Sequence, residues 1–351
     1  MRSTTPLEDA LVGWELLAES SAQLPTQCPM WAQACAATLP DPPRIVVRGG
    51  LQTVQAVAPL AWRNGHLELL GTAQVPEPTD LLASSPEALA DLVETVIGAR
   101  RALHLRRLPA DSATIAALTR AVGRRGIVLA RRTVGFPTVT LSESWQEPGG
   151  GLSSRRRSDL RRARRRAEAM GDVEFELLSP ASHEVPALLE LAYAIEARSW
   201  KAREGRALAH VSWLARFFTT YATAAAERGE LRVQFLRIGG TAVAMQLGVE
   251  WKRSCWLFKI GYDESYSTAS PGQLLLAESI ADAARSGLRT YELLGQQAIW
   301  TDVWTRDVSP CAMVLVYPLG MSSGAALART GATQVARWAA AVNRRRAATF
   351  R

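Results

Sequence analysis

The chain carries one pattern twice, and the repetition limits what it can fold into. Arg44-Ile-Val-Val-Arg-Gly-Gly50, Val57-Ala-Pro-Leu60, Trp62-Arg-Asn-Gly65 and Leu67-Glu-Leu-Leu-Gly71 form the first copy. About 190 positions later come Arg232-Val-Gln-Phe-Leu-Arg-Ile-Gly-Gly240, Val243-Ala-Met-Gln-Leu247, Trp251-Lys-Arg-Ser254 and Trp256-Leu-Phe-Lys-Ile-Gly261. Each Gly-Gly pair lies between runs rich in apolar and β-branched residues, which predicts a hairpin turn at positive φ. Each block reads as a three-stranded meander. A Ser-Pro then opens a helical pattern: Ser85-Pro86-Glu87 before Ala88 to Val96, and Ser270-Pro271-Gly272-Gln273 before Leu274 to Ala284. Serine at the N-cap and proline in the first turn start helices. A further strand-like run follows each helix, Ala102 to Leu108 and Thr290 to Leu294. The expected fold is α+β, a mixed α/β chain of two tandem units, each a twisted, mainly antiparallel sheet flanked by helices.

At 351 residues and 48% hydrophobic content the chain is long enough for two cores. The expected division is 1–148, a linker with an Arg-rich helix over 149–168, a second domain over 169–320 and a C-terminal helix over 321–351. The start, with Arg2, Glu8 and Asp9, lacks the apolar core of a secretory signal, and no run reaches the length of a membrane span. Arg329 and Arg337 make the Ala-rich tail amphipathic. Four cysteines (28, 35, 255, 311) and four histidines (66, 104, 183, 210) are scattered without ligand spacing, so no metal is expected. Without a disulfide framework, a reducing cytoplasm is the expected location.

Most of the net charge of +8 is local. Between Arg155 and Glu168 there are eight arginines against Asp159 and Glu168. Such a helix has three uses: holding tRNA phosphates, peripheral contact with an anionic membrane, or acting as a solvated spacer whose stems pack on apolar surface. The spacer is the favoured reading, and the absence of interleaved aromatics argues against a stacking platform for single strands.

No phosphate-loop lysine, dinucleotide fingerprint or nucleophile elbow is present. What remains is a strand, loop and helix start in the second copy. Unpaired N–H groups and the positive dipole end at Ser270-Pro-Gly-Gln would suit an anion, and Gly272 would let it approach the backbone. The matching residue of the first copy is taken as Glu87, whose carboxylate would repel a pyrophosphate. The second copy is therefore expected to bind and the first to support it.

Residues 154–317 resemble the CelD-like branch of the GNAT acyltransferase superfamily, related to the Fem-type aminoacyltransferases with their tandem GNAT domains. The resemblance rests on the Arg-rich lead-in, Glu196-Ala-Arg-Ser-Trp-Lys201 with Arg203-Glu-Gly205, the hairpin before Ala244-Met-Gln-Leu247, and Gly261-Tyr-Asp-Glu264 with Ser270-Pro-Gly-Gln-Leu274. It implies acyl-CoA, most simply acetyl-CoA, bound in a gap beside Lys259, Ile260, Gly261 and Tyr262, with its pyrophosphate over Ser270, Pro271, Gly272, Gln273 and Leu274. Trp200, Lys201, Gln246, Trp300 and Trp304 would line the acceptor groove. Glu196 or Glu292 would serve as base or acceptor binder, Tyr262 as proton donor to the leaving thiolate. Glu250, Asp263 and Glu264 are the other carboxylates expected near the gap. Trp300-Thr301 stands where the family has Tyr-Lys, and Gln297 where it has an acid, so the acceptor site departs from the pattern.

The resemblance implies N-acyl transfer by direct amine attack on a thioester, with an amine on a small molecule, sugar or envelope or polysaccharide precursor as acceptor. Two alternatives remain: a Fem-type transferase using charged tRNA, and a non-catalytic scaffold or regulator that keeps the fold.

Overall fold

The computed structural model describes residues 4–199 and 211–319. The candidates Trp200 and Lys201, with Arg203 to Gly205, and the tail beyond 319 lie outside them. From the N-terminus run α1 (Leu7–Ser21), α2 (Pro29–Thr38), β1 (Pro43–Gly50), β2 (Thr53–Arg63), β3 (His66–Leu69), a short β4 (Leu82–Ala83), α3 (Pro86–Gly98), β5 (Leu103–Pro109), α4 (Ala113–Val122) and the long β6 (Gly126–Thr140). There follow α5 (Ser154–Glu168), β7 (Val173–Leu178), α6 (Val185–Glu196), α7 (Ser212–Glu227), β8 (Leu231–Ile238), β9 (Thr241–Trp251) and β10 (Ser254–Tyr262). A 3₁₀ turn (Glu264–Ala269) leads to α8 (Pro271–Arg285), β11 (Thr290–Glu292) and β12 (Val308–Pro318).

These elements form two compact units that alternate along the chain. Of the described residues, the first takes 4–22, 41–133 and 312–319, and the second takes 23–40 and those between 134 and 311. Two of their four limits fall inside strands β6 and β12, and the other two flank α2. Gly151 is a packing position. A Cβ there would stand 2.1 Å from the Trp145 ring. Gly151→Ala is expected to destabilise by about 1–3 kcal/mol through overpacking, read as a lower urea midpoint with an unchanged slope.

In the first unit β1, β2 and β3 are antiparallel neighbours, and β3 meets β5 in parallel. In the second, β7, β8, β9 and β10 are antiparallel, β10 meets β11 in parallel, and β11 pairs antiparallel with β6. The duplication is visible in these ladders at one separation, 188 positions. Arg44↔Leu60 becomes Arg232↔Gly248, Trp62↔Leu67 becomes Glu250↔Cys255, and Leu67↔Leu103 becomes Cys255↔Tyr291. A register shift follows Arg48 in one copy and Leu236, 188 positions on, in the other.

The Gly-Gly pairs are thus not equivalent. Gly239 and Gly240, at φ 55° and 77°, make the second hairpin turn; the first copy has Leu51 and Gln52 there. Gly49 sits at the register shift instead, with φ 92°, and a Cβ on it would lie 2.5 Å from the Thr53 carbonyl oxygen. The sequence match at about 190 aligned two glycines of different purpose.

Each core follows from the pattern of its helices. In α3, Ser85 Oγ accepts from Ala88 N–H at 3.2 Å and Pro86 begins the first turn. Leu89, Leu92, Val93, Val96 and Ile97 then present one face to Leu60, Leu67, Leu69, Leu103 and Leu105. In the second unit Trp31 of α2 packs edge-on against Phe217 and Tyr221 of α7 at 4.9 and 5.1 Å. On α8, Leu275 and Leu276 are fully buried, and Leu274 and Ile280 nearly so. All four cysteines are buried and unbridged.

Candidate functional site

The strands β10 and β11 run together for three rungs only, Ser254↔Thr290, Cys255↔Tyr291 and Trp256↔Glu292. Beyond Trp256, β10 continues to Tyr262, paired with β9 alone. Its register shifts between Leu257 and Lys259. That bulge changes which face each later side chain takes. Before it, Cys255 and Leu257 pack with Leu276 and Ile280 of α8; after it, Tyr262 packs with Leu274 and lies beside Gly272. Lys259, which strict alternation would turn to α8, instead puts its ammonium over the Phe218 ring of α7 at 4.6 Å. Gly261 lies against Glu196: a Cβ there would meet the Glu196 Cβ and Cγ at 3.3 Å. The first copy has no counterpart to this arm, because β3 ends at Leu69.

The start of α8 has no side-chain cap, and its first residues, Pro271 and Gly272, are buried. Ser270 takes the left-handed conformation at φ 50°, ψ 50° and its side chain caps nothing. Its carbonyl accepts from Gln273 and Leu274 N–H, while among the described residues no backbone carbonyl outside α8 accepts from the Gly272 N–H. A Cβ on Gly272 would touch only Tyr262 Cδ1, at 3.4 Å, so internal crowding does not require a glycine there. The α3 start differs: Ser85 caps it, and Glu87, first of all through its own backbone N–H and then through Ser85, is held below the usual carboxylate range. The first copy fills its helix terminus with its own anion.

A cavity of about 700 Å³ opens at Ser270 and Gln273. Its walls are α5, with Arg156, Arg162 and Arg166, and the segment carrying Ile299 and Trp300. Arg162 pairs with Asp159; Gln273 Oε1 is buried without a hydrogen-bond partner among the described residues. Ala163 and Ala167 seat α5 against Leu274 and Leu275, and this packing aims three arginines at the α8 start. The sequence reading favoured a solvated spacer for this helix. Its alanine face packs against α8, and three of its arginines line the cavity at the α8 start. Asp159 lines the same cavity, so two arginines are left in excess there, and with a helix N-terminus they suit a phosphate-bearing ligand.

Two carboxylates lie on the sheet face opposite α8. Tyr291 points to α8, its hydroxyl 2.5 Å from Ser279 Oγ and bonded to Gln246 Oε1 at 3.3 Å. Its neighbour Glu292 therefore points the other way. Glu292 is 6% exposed and accepts from Thr138 Oγ1 at 2.5 Å. Burial pushes its carboxyl above the ordinary range, against the opposing hydrogen bonds of Thr138 and Thr290. Glu196, 1% exposed, reaches the same face at Gly261. Trp256, the rung partner of Glu292, has a buried Nε1 with no acceptor among the described residues. So does the buried Gln246 Nε2, under α8. Trp256 was not among the sequence candidates; its signal was that Glu68 occupies its place in the first copy.

The other carboxylates are engaged structurally. Glu250 forms a bidentate pair with Arg232 at 2.9 and 2.6 Å. Asp263 takes Arg198 Nε at 2.5 Å and caps the 3₁₀ turn through Ser265, and these bonds outweigh burial to keep it charged. Trp300 lines the cavity. Trp304 is 4% exposed and packs in the core near Trp145, centroids 6.4 Å apart. Thr301 Oγ1 bonds both N–H and carbonyl of Ala298, closing a turn. Among the described residues no cluster of three or more His, Cys, Asp or Glu could hold a metal, and no helix is long and apolar enough to cross a membrane.

Residues 154–301 match the family model of the acetyltransferase (GNAT) domain. The fold of nearly the whole chain is similar to that of FemX (TM-score 0.59, 11% identity, covering 90% of this chain and 97% of that one). It is also similar to the C-terminal domain of a putative lysylphosphatidylglycerol synthetase from Agrobacterium fabrum (0.58, 15%, 93% and 95%). A conserved protein of unknown function from Bacteroides thetaiotaomicron is a third neighbour (0.55, 12%, 90% and 98%). No curated protein matches the chain in sequence. At these identities the structural likeness speaks for the fold. Residues 154–301 are thus similar to a GNAT-type acetyltransferase domain, a likeness that supports acyl transfer in general terms.

Proposed function

We propose that the chain is an N-acyltransferase moving an acyl group, most simply acetyl, from acyl-CoA to an amine on a small molecule or saccharide. The observation that carries this reading is the parting of β10 from β11 beside the uncapped, arginine-lined start of α8. The phosphates would meet the Gly272 N–H, the Ser270 hydroxyl, Arg156 and Arg166, and the adenine would lie on Trp300. The pantetheine arm would follow the gap, with Gln246 Nε2 as a buried donor on the α8 side. Backbone N–H groups near Ile260 to Tyr262 would face the thioester oxygen.

The acceptor amine would approach from the face of Glu196 and Glu292. Its nitrogen bonds to the acyl carbon, the C–S bond breaks, and the amine proton passes to Glu292. The Tyr262 hydroxyl supplies a proton to the departing thiolate. Glu196, held at Gly261, orients the amine. Dependence on acyl-CoA fits a cytoplasmic location. The CelD-like resemblance supports a saccharide or envelope precursor as acceptor.

Calorimetric titration with acetyl-CoA, CoA and dephospho-CoA tests the reading. Saturable binding is expected, and Arg156→Gln with Arg166→Gln should weaken acetyl-CoA by about tenfold or more, through lost charge-assisted bonds. No affinity for any of the three ligands would sink it. A second reading, aminoacyl transfer from charged tRNA, is favoured by the exposure of Arg156, Arg162 and Arg166 at the cavity rim. It requires tRNA binding that falls by about 10³-fold or more between 50 and 200 mM salt; absence of tRNA binding removes it.

A further inference from the structure

The first copy holds a pocket whose chemistry its counterpart lacks. At the 188-residue separation, Arg44, Trp62 and Arg101 stand where the second copy has Arg232, Glu250 and Arg289. Arg232 is saturated there by the bidentate Glu250 carboxylate. In the first copy an indole replaces that carboxylate. Arg44 keeps its place, but its Nε is buried and has no hydrogen-bond partner among the described residues. The Arg101 guanidinium lies over the Trp62 ring at 5.3 Å, which fixes it on the same wall. With Leu67 and Ala99 these side chains enclose about 380 Å³, and the lining contains no carboxylate.

We infer that this cavity binds a small acidic ligand, its phosphate or carboxylate head held by Arg44 and Arg101 and its apolar part resting on Trp62 and Leu67. The head takes the place that the Glu250 side chain fills in the other copy. A buried guanidinium N–H without an acceptor is costly, and a bound oxyanion removes the cost. The end of α3 at Ala99 opposes an anion with about half a charge, against two full positive ones. The volume is that of a small-molecule site. The pocket uses none of the residues assigned to acyl transfer, so either reading can fail alone.

The test is an NMR titration of the full chain with inorganic phosphate and, separately, benzoate, read at the backbone amides of Leu67 and Arg101. A saturable shift is expected with at least one probe. Phosphate alone marks a phosphorylated ligand, benzoate alone a carboxylate. Arg44→Gln and Arg101→Gln should each weaken the response by about tenfold. Trp62→Glu, which restores the ion pair of the second copy, should abolish it while unfolding at no lower urea concentration than the wild type. No shift with either probe up to its solubility limit, or titrations unchanged in all three variants, overturns the site.

Discussion

Gly272→Glu is expected to remove acetyl-CoA binding, weakening it by about 100-fold or more, while leaving the protein folded. The substitution places a carboxylate where the first copy carries Glu87, at the helix start that the diphosphate would occupy. Like charges held at contact distance cost several kcal/mol, and about 3 kcal/mol is already beyond 100-fold. The steric part is separable. A methyl group at this position would touch only Tyr262, at ordinary contact distance. Gly272→Ala should therefore unfold with the wild type and lose far less affinity than the glutamate variant. Equal losses in both would show that backbone approach matters and charge does not; full affinity in the glutamate variant would move the cofactor away from α8. Calorimetry with parallel urea melts reads all three outcomes.

Glu292→Gln is expected to lower kcat by about 100-fold or more with little change in KM, because a proton acceptor acts in the transition state and not in binding. Thiol release on acyl transfer, with an amine selected by screening, provides the readout. Burial holds the Glu292 carboxyl above its usual 4.5, so the wild-type rate should fall on acidification through an apparent pKa above that value. The glutamine variant should lack this limb. The sign for stability is opposite. A carboxyl raised in the folded state stabilises the protein while protonated, and that contribution is lost as pH rises through the folded pKa. Glu292→Gln should thus be as stable as wild type, or more so, near neutral pH. A variant with full kcat and an unchanged acid limb would pass the role to Glu196.

Local chemistry made the strands and the Ser-Pro helix starts readable from the sequence, because alternation and capping involve near neighbours. Partners across ladders were not readable. The 188-residue separation differs from the Gly-Gly spacing because Gly49 serves a register shift and Gly239 a turn, a distinction that only pairing reveals. The face of Lys259 depends on the bulge after Leu257, which alternation cannot foresee. Trp300 and Trp304 looked alike in the sequence, yet one lines the cavity and the other fills the core. The destination of the α5 arginines depended on two alanines, Ala163 and Ala167, seating the helix against α8.

The way the two units share the chain also dictates an order of events during synthesis. Trp31 emerges early, but its aromatic partners Phe217, Tyr221 and Phe258 are made roughly 200 residues later. Val314 and Val316, which complete the first core around Leu60 and Leu103, come after the whole second unit. At about 5–20 residues per second, α2 must wait ten seconds or more on the ribosome before its surface is covered. Neither half can close before the other is nearly made. A fragment cut to residues 154–301 would lack Trp31 and β6, so it should aggregate where the intact polypeptide does not.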